Sequence, residues 1–159
     1  MSEERGVPSL ASRCGPIALF QAIRSGDHIE VKRLIDELGI SVDSRGPLKD
    51  IDNFEVSALH LACWLRKEEI AALLIDRKAD IESRSESGST PLLYACKFGL
   101  VSIVKKLLEK QCNVNLRDEH RVTALHHGCE SGNFEICSVL LDNEAVLEAA
   151  DEVCNGKSN

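Results

Sequence analysis

A period of 33 residues is the feature of this 159-residue chain that most constrains its fold. Three similar segments, "SALHLACW", "TPLLYACK" and "TALHHGCE", begin at Ser57, Thr90 and Thr123, so each starts 33 residues after the one before it. A period of this length is typical of proteins that stack copies of one small unit, in which each copy buries its apolar faces against its neighbours. The chain is therefore predicted to form a solenoid.

Each unit is predicted to contain two short helices. The hydroxyl residue that opens each segment can cap a first helix by accepting a backbone N–H bond, and Pro91 suits the first helical position. Apolar residues at helical spacing follow Gly99 and Gly132 and predict a second helix after each. Neither helix is long enough to be stable alone, so the units must stack in order to fold.

A first, irregular unit lies upstream, because Leu19 precedes Leu59 by 40 residues rather than 33. The extra residues predict an enlarged loop at 45–51, and residues 1–15 are expected to form a mobile tail. Residues 151–159 are predicted to begin an incomplete fifth repeat or to form a second tail. The predicted repeats span residues 16–44, 52–84, 85–117 and 118–150.

Composition restricts the class of function. The net charge of −7 argues against non-specific binding to nucleic acid or to an anionic membrane, which needs basic patches. No apolar run approaches the roughly 20 residues that span a bilayer, and the start, "MSEERGVPSL", does not resemble a secretory signal. Seven cysteines without tight pairing are expected to be reduced thiols, so we predict a cytoplasmic or nuclear protein.

Pairs of histidine and cysteine three residues apart raise the question of a metal site. His60 with Cys63, and His126 or His127 with Cys129, would share a helix face, which makes chelation geometrically conceivable. A structural zinc site needs four ligands, however, and small thiols suit tight helix packing. We therefore predict that the three stacked cysteines pack in the core, and that the chain has no metal, cofactor or catalytic residue.

Four motifs, "TPLLYACKFG", "SALHLAC", "TALHHGCESGNFEI" and "CNVN", resemble ankyrin repeats over residues 17–150. The resemblance implies an all-α repeat solenoid of helix–turn–helix units with β-turn fingers. The first helices and the fingers would line an inner face, and the second helices would form an outer face. It also implies that His60 and His126 hydrogen-bond to the fingers and to neighbouring repeats, and that Asn115 matches a site of asparaginyl hydroxylation.

Two residues depart from the family pattern. Arg66 stands where Gly99 and Gly132 make the turn between helices, so we expect that turn to be strained or reshaped. Gly128 replaces the usual helix alanine and is expected to loosen the fourth repeat, at a cost of about 0.5–1 kcal/mol.

Ankyrin-like solenoids generally bind proteins through finger tips and the inner helix face. The single tryptophan, Trp64, falls at an inner-face place where polar residues are usual, and with Phe54, Leu65 and Phe98 it could form an exposed apolar patch. The alternative is internal packing of Phe54 and Trp64 under the enlarged loop. The predicted partner-binding residues are Arg24, Phe54, Trp64, Leu65, Glu86, Lys97, Phe98, His120 and Glu130.

We therefore predict a non-enzymatic, monomeric protein-interaction module, a scaffold or adaptor that binds another protein. The alternative is a targeting or regulatory ankyrin domain truncated from a larger enzyme or channel. For modification, Ser83, Ser85 and Ser87 are expected to be more exposed than Thr90, which is expected to be a buried cap.

Overall fold

The computed structural model describes residues 10–47 and 55–146, and these ranges contain eight α-helices and one two-stranded sheet. In chain order, the elements are α1 Leu10–Ser25, α2 His28–Asp36, β1 Arg45–Pro47, β2 Glu55–Ser57, α3 Ala58–Trp64, α4 Glu68–Asp76, α5 Pro91–Lys97, α6 Val101–Glu109, α7 Ala124–Glu130 and α8 Phe134–Asp142.

The helices form two layers. Helices α1, α3, α5 and α7 pack side by side in one layer, and α2, α4, α6 and α8 pack in the other. The two helices of each repeat also pack against each other, and aliphatic side chains such as Leu59, Leu92, Leu107 and Ile136 are buried in the core they form. This arrangement confirms the all-α repeat solenoid.

The hydroxyl residues that open the repeats cap the first helices, as the sequence predicts. The side chains of Ser57, Thr90 and Thr123 each accept a hydrogen bond from the backbone N–H three residues later. Pro91 follows its cap at the first helical position, where its missing N–H costs nothing. All three capping residues are buried.

The enlarged loop begins and ends in a short antiparallel sheet. Gly46 of β1 pairs with Val56 of β2 and packs on the ring of Phe20, since a Cβ on Gly46 would lie 3.0 Å from that ring. Any larger residue at this point would crowd the Phe20 ring. Residues 48–54 lie outside the described residues, and so does the predicted contact residue Phe54.

The first helix is longer than predicted. It begins at Leu10 and runs through Pro16, so residues 10–15 are helical rather than part of a tail. Residues 1–9 and the predicted fifth-repeat segment 151–159 lie outside the described residues.

The turn between the two helices of each repeat adopts one backbone conformation in all four repeats. Gly26, Gly99 and Gly132 have φ of 78°, 72° and 66°, and Arg66 takes the same left-handed region with φ of 56°. A side chain is disfavoured there because its Cβ crowds the following carbonyl oxygen. The prediction of strain at Arg66 is confirmed.

Candidate protein-binding site

The exposed surface of the α1, α3, α5 and α7 layer, called the inner face below, carries a row of three aromatic side chains. Trp64 of α3, Tyr94 of α5 and Phe98, which follows α5, are half-buried and pack against the core. The rings of Tyr94 and Phe98 lie 6.2 Å apart between centroids, and Tyr94 meets His60 edge-on at 5.1 Å. We call Trp64, Tyr94 and Phe98 the aromatic row.

Sequence reasoning missed Tyr94. Its spacing of four residues from Phe98 was a usable signal, because residues four apart on a helix lie on the same face. Burial raises the pKa of the Tyr94 phenol, so this ring contributes an apolar body and a neutral hydroxyl to the inner face.

His60 contacts the Tyr94 ring of the aromatic row and joins two repeats through its hydrogen bonds. Its Nδ1 lies 2.8 Å from Ser57 Oγ, and its Nε2 lies 2.9 Å from the carbonyl oxygen of Ser89, in the following finger. Since a carbonyl only accepts, Nε2 donates to Ser89 and Nδ1 accepts from the Ser57 hydroxyl. Burial lowers the pKa of His60 to about 4, so the ring is neutral and both nitrogens are occupied.

These contacts confirm the structural role predicted for His60. Its ring has no lone pair available for a metal ion while both hydrogen bonds stand. Among the residues that the structure describes, no three His, Cys, Asp or Glu side chains are grouped to hold a metal. His126 makes the same contact as His60 does with its helix cap, since its Nδ1 lies 2.7 Å from Thr123 Oγ1.

Charged residues of both signs surround the aromatic row. Lys97 of α5 and Glu130 of α7 are exposed at equivalent places of their helices. Arg24 of α1 is half-buried, and its guanidinium donates to the carbonyl oxygen of Pro47 at 2.9 Å, which ties it to β1. The described part of this rim is therefore mixed in charge, with no basic stripe of the kind that binds nucleic acid among residues 10–47 and 55–146.

The finger residues Glu86 and His120 are exposed on neighbouring loops. Those loops are joined by a hydrogen bond from the backbone N–H of Glu119 to the carbonyl oxygen of Ser87 at 3.1 Å. The guanidinium of Arg84 donates to the carbonyl oxygen of Gly88 within its own finger and to that of Arg117 in the next one, each at 2.9 Å. The two fingers are thus held in fixed register beside the inner face.

The structure brings some predicted contact residues together and separates others. Trp64 and Leu65 lie at the C-terminal end of α3, and Lys97 and Phe98 lie at the C-terminal end of the adjacent α5. These four residues therefore share one part of the inner face. Glu130 lies on the next helix, whereas Arg24 is engaged with β1 and Glu86 and His120 stand on the fingers. Their role in partner binding stays a prediction.

Ser85 is more exposed than Thr90, as expected, but only slightly, since the exposed fractions are 5% and 2%. Its backbone and side chain close the finger, where its hydroxyl lies 3.0 Å from Ser87 Oγ.

The expectation that all three stacked cysteines pack in the core is wrong for one of them. Cys63 and Cys96 pack in the core as predicted, and burial raises the pKa of Cys63 to about 12. Cys129 is exposed instead, because within the described residues α7 ends its layer and has a neighbouring repeat on one side only.

Asn115 links two repeats. Its side chain donates to the carbonyl oxygen of Glu144 at 3.2 Å and accepts from the backbone N–H of Val146 at 2.9 Å. Asn115 therefore joins its own repeat to the following one, and hydroxylation of Asn115 stays a prediction.

None of the described helices is both long and apolar enough to cross a membrane.

Comparison with known families decides the assignment. A family model described as "Ankyrin repeats (3 copies)" matches residues 4–85 and again 77–151, which together are most of the chain.

The chain belongs to the ankyrin repeat family.

Relatives of this ankyrin chain are long proteins. It is 46% identical over 43 residues to the human "Ankyrin repeat and KH domain-containing protein 1", covering 27% of this chain and 2% of that protein. It is 35% identical over 83 residues to the Arabidopsis thaliana "E3 ubiquitin-protein ligase XBAT33", covering 51% of this chain and 15% of that protein. It is 36% identical over 77 residues to the Arabidopsis thaliana "Serine/threonine-protein kinase 12", covering 48% of this chain and 15% of that protein.

The chain thus spans a small fraction of the length of these relatives. Ankyrin repeats generally mediate protein–protein interaction and are generally non-catalytic.

Proposed function

We propose that this ankyrin chain is a non-enzymatic scaffold or adaptor whose protein partner docks on the inner face over the aromatic row. The single observation that supports the proposal is the half-buried aromatic row, in which Trp64, Tyr94 and Phe98 all pack against the core and Tyr94 and Phe98 also make ring contacts. Side chains fixed in this way lose little conformational entropy when a partner covers them.

The chemistry of the face suits a protein partner. Tryptophan and tyrosine are enriched among the residues that dominate binding energy, and they act best when surrounded by polar groups that exclude water. Lys97 and Glu130 supply exposed charges of opposite sign beside the row. The partner is therefore expected to present an apolar centre with a rim of mixed charge, rather than a phosphate backbone.

The proposed location is the cytoplasm or the nucleus. The described cysteines, Cys63, Cys96, Cys112, Cys129 and Cys137, are all free thiols, and such thiols persist in reducing compartments.

A second candidate is a targeting or regulatory module within a longer polypeptide that includes an enzyme or channel domain. The observation that favours it is the small coverage of relatives, two of which are named as a ubiquitin ligase and a protein kinase. An antibody against α5 and α6 distinguishes the two, since a chain that acts by itself migrates near 17.5 kDa in cell extracts. A single, much larger band would favour the second candidate.

Differential affinity capture tests the proposed face. We expect the double variant Trp64→Ala/Phe98→Ala to recover its principal partner from lysate at a level at least about tenfold lower than the wild type, because interface anchors of this kind carry most of the binding energy. Lys97→Glu, which changes an exposed side chain, is expected to weaken capture without disturbing the core. Quantitative mass spectrometry provides the measurement.

Phe134→Ala is the matched control. Phe134 begins α8 in the other layer and is 88% exposed, so its loss removes an exposed aromatic ring away from the proposed face. Circular dichroism establishes that every variant is folded. Equal capture by the folded double variant and the wild type would contradict docking over the aromatic row.

A further inference from the structure

Three cysteines occupy equivalent places in successive first helices, but their surroundings differ. Cys63 and Cys96 are 0% exposed, and burial raises the pKa of both thiols, which keeps them protonated and inert. Cys129, at the same place in α7, is exposed. Of the three, only Cys129 is accessible to a dissolved reagent.

A second thiol lies beside Cys129. Cys137 of α8 is half-buried, and its Sγ is 3.8 Å from the Sγ of Cys129. The two helices are close at this point because Gly128 has no side chain, and a Cβ there would lie 3.2 Å from Cys137 Sγ. A disulfide bond is about 2.05 Å long, so the sulfurs need to approach by less than 2 Å, which is about the range of small side-chain rotations.

We propose that Cys129 and Cys137 form an oxidation site, at which a small-molecule disulfide of the glutathione class converts the two thiols into an intrachain disulfide between α7 and α8. The proposal does not depend on docking over the aromatic row.

The exchange takes place in two steps. The Cys129 thiolate attacks one sulfur of glutathione disulfide, forming a mixed disulfide and releasing one glutathione thiolate. The Cys137 thiolate then attacks Cys129 Sγ, which breaks the mixed disulfide and releases the second glutathione thiolate. The two protons lost by the protein thiols are taken up by the two glutathione thiolates, so the protein is oxidised by two electrons and glutathione disulfide is reduced.

The order of attack follows from exposure. Cys129 is open to solvent, whereas burial and a hydrogen bond with Cys129 raise the pKa of Cys137. The exposed thiol is therefore the entry point, and its half-buried neighbour resolves the mixed disulfide. The product would cross-link the two helices of the fourth repeat through a short loop and restrict its unfolded state.

Peptide mapping of the oxidised full chain tests the proposal. Reduced protein is incubated under native conditions with glutathione disulfide, alkylated, and digested with a protease that cleaves after glutamate, because Glu130, Glu135 and Glu152 place Cys129, Cys137 and Cys154 in different peptides. The expected result is a cross-linked pair of peptides carrying Cys129 and Cys137, with the loss of two alkylatable thiols.

Three variants complete the design. Cys137→Ser is expected to stop at one glutathione bound to Cys129, and Cys129→Ser is expected to form no cross-link. Cys112→Ser, at a half-buried cysteine after α6, is the matched control and should cross-link as the wild type does. Oxidation should also raise the thermal midpoint of the wild type and of Cys112→Ser, but not that of Cys137→Ser.

Two outcomes would overturn the proposal. One is a wild-type protein that retains glutathione on Cys129 with no cross-link to Cys137. The other is a cross-link from Cys129 to Cys154, which would show that α8 does not provide the resolving thiol.

Discussion

At the scale of single residues, Arg66 shows how a repeat tolerates a poor fit to its backbone. The same turn recurs four times with positive φ, and three of the four positions are glycine. The backbone conformation of Arg66 is set by the packing of α3 and α4 on either side of it, and not by the preference of arginine. Such a position stores strain that a substitution can release.

Arg66→Gly is expected to raise the free energy of unfolding by about 0.5–1 kcal/mol, because glycine adopts this φ without a steric penalty. Urea denaturation of the purified chain measures the change. The reciprocal variant Gly132→Ala should lose a similar amount, since a Cβ there meets no atom within 4 Å and only the backbone is penalised. If Arg66→Ala raised the free energy of unfolding as much as Arg66→Gly does, the arginine side chain, and not the positive φ, would be the cause of the strain.

His60 makes stability depend on pH. Its pKa is 6.5 in a model peptide and about 4 in the fold, so unfolding takes up a proton between these values and stability falls as the pH falls through this window. The loss approaches roughly 3 kcal/mol at pH 4 and is absent above pH 7.

Denaturation curves of the wild type and His60→Asn, recorded from pH 7 to pH 4, isolate this effect, because the carboxylates are common to both proteins. We expect the variant to be less stable at pH 7 and to lose less stability on acidification. Parallel pH profiles for the two proteins would mean that the pKa of His60 is the same in the folded and the unfolded chain.

At the scale of elements, helix propensity and packing give opposite explanations for the glycine at position 128. The sequence suggests that glycine loosens α7, but the structure shows α8 packed so closely that a Cβ on Gly128 would lie 3.2 Å from both Cys137 Sγ and Ile136 Cγ2. Helix propensity and close packing therefore oppose each other at this residue.

Gly128→Ala is expected to destabilise the chain by about 1 kcal/mol, because overpacking costs about 1–3 kcal/mol and the gain in helix propensity is only about 1 kcal/mol. The same substitution in a Cys137→Ala background should cost less, since one of the two crowding atoms is gone. A double-mutant cycle from urea denaturation measures the coupling. A stabilised Gly128→Ala variant would show that the helices separate at no cost.

The helices themselves were largely predictable. Hydroxyl caps, Pro91 and the 3.6-residue apolar spacing are local signals, and each marks a helix that the structure contains. The early start of α1 at Leu10 was not predictable in this way, because no cap or repeat equivalent marks it. The exposure of Cys129 depends on what lies beyond the fourth repeat, which a within-repeat pattern does not encode.

At the scale of the whole molecule, the repeats are joined by contacts that recur from one unit to the next. His60 reaches the carbonyl oxygen of Ser89, Arg84 reaches that of Arg117, and Asn115 reaches that of Glu144. Exposed ion pairs such as Lys105 with Glu135 also cross between repeats, although pairs of this kind add little stability. The result is a continuous inner face assembled from several repeats.

The composition of that face was only partly predictable. Trp64 and Phe98 were found from the rarity of aromatic residues in the chain, but their half-buried state and the contact of Phe98 with Tyr94 depend on how α3 and α5 pack. The pairing of Arg24 with the backbone of Pro47 depends on the path of the enlarged loop, which has no counterpart in the other repeats.

The single tryptophan allows the most direct test of docking over the aromatic row. When the chain is labelled with 5-fluorotryptophan, Trp64 contributes its only fluorine resonance, and the captured partner can be titrated against it. The account predicts that this resonance shifts or broadens in proportion to the complex formed, and that the Phe134→Ala control behaves identically. A complex that forms fully while the Trp64 resonance stays unchanged would contradict a partner on the inner face.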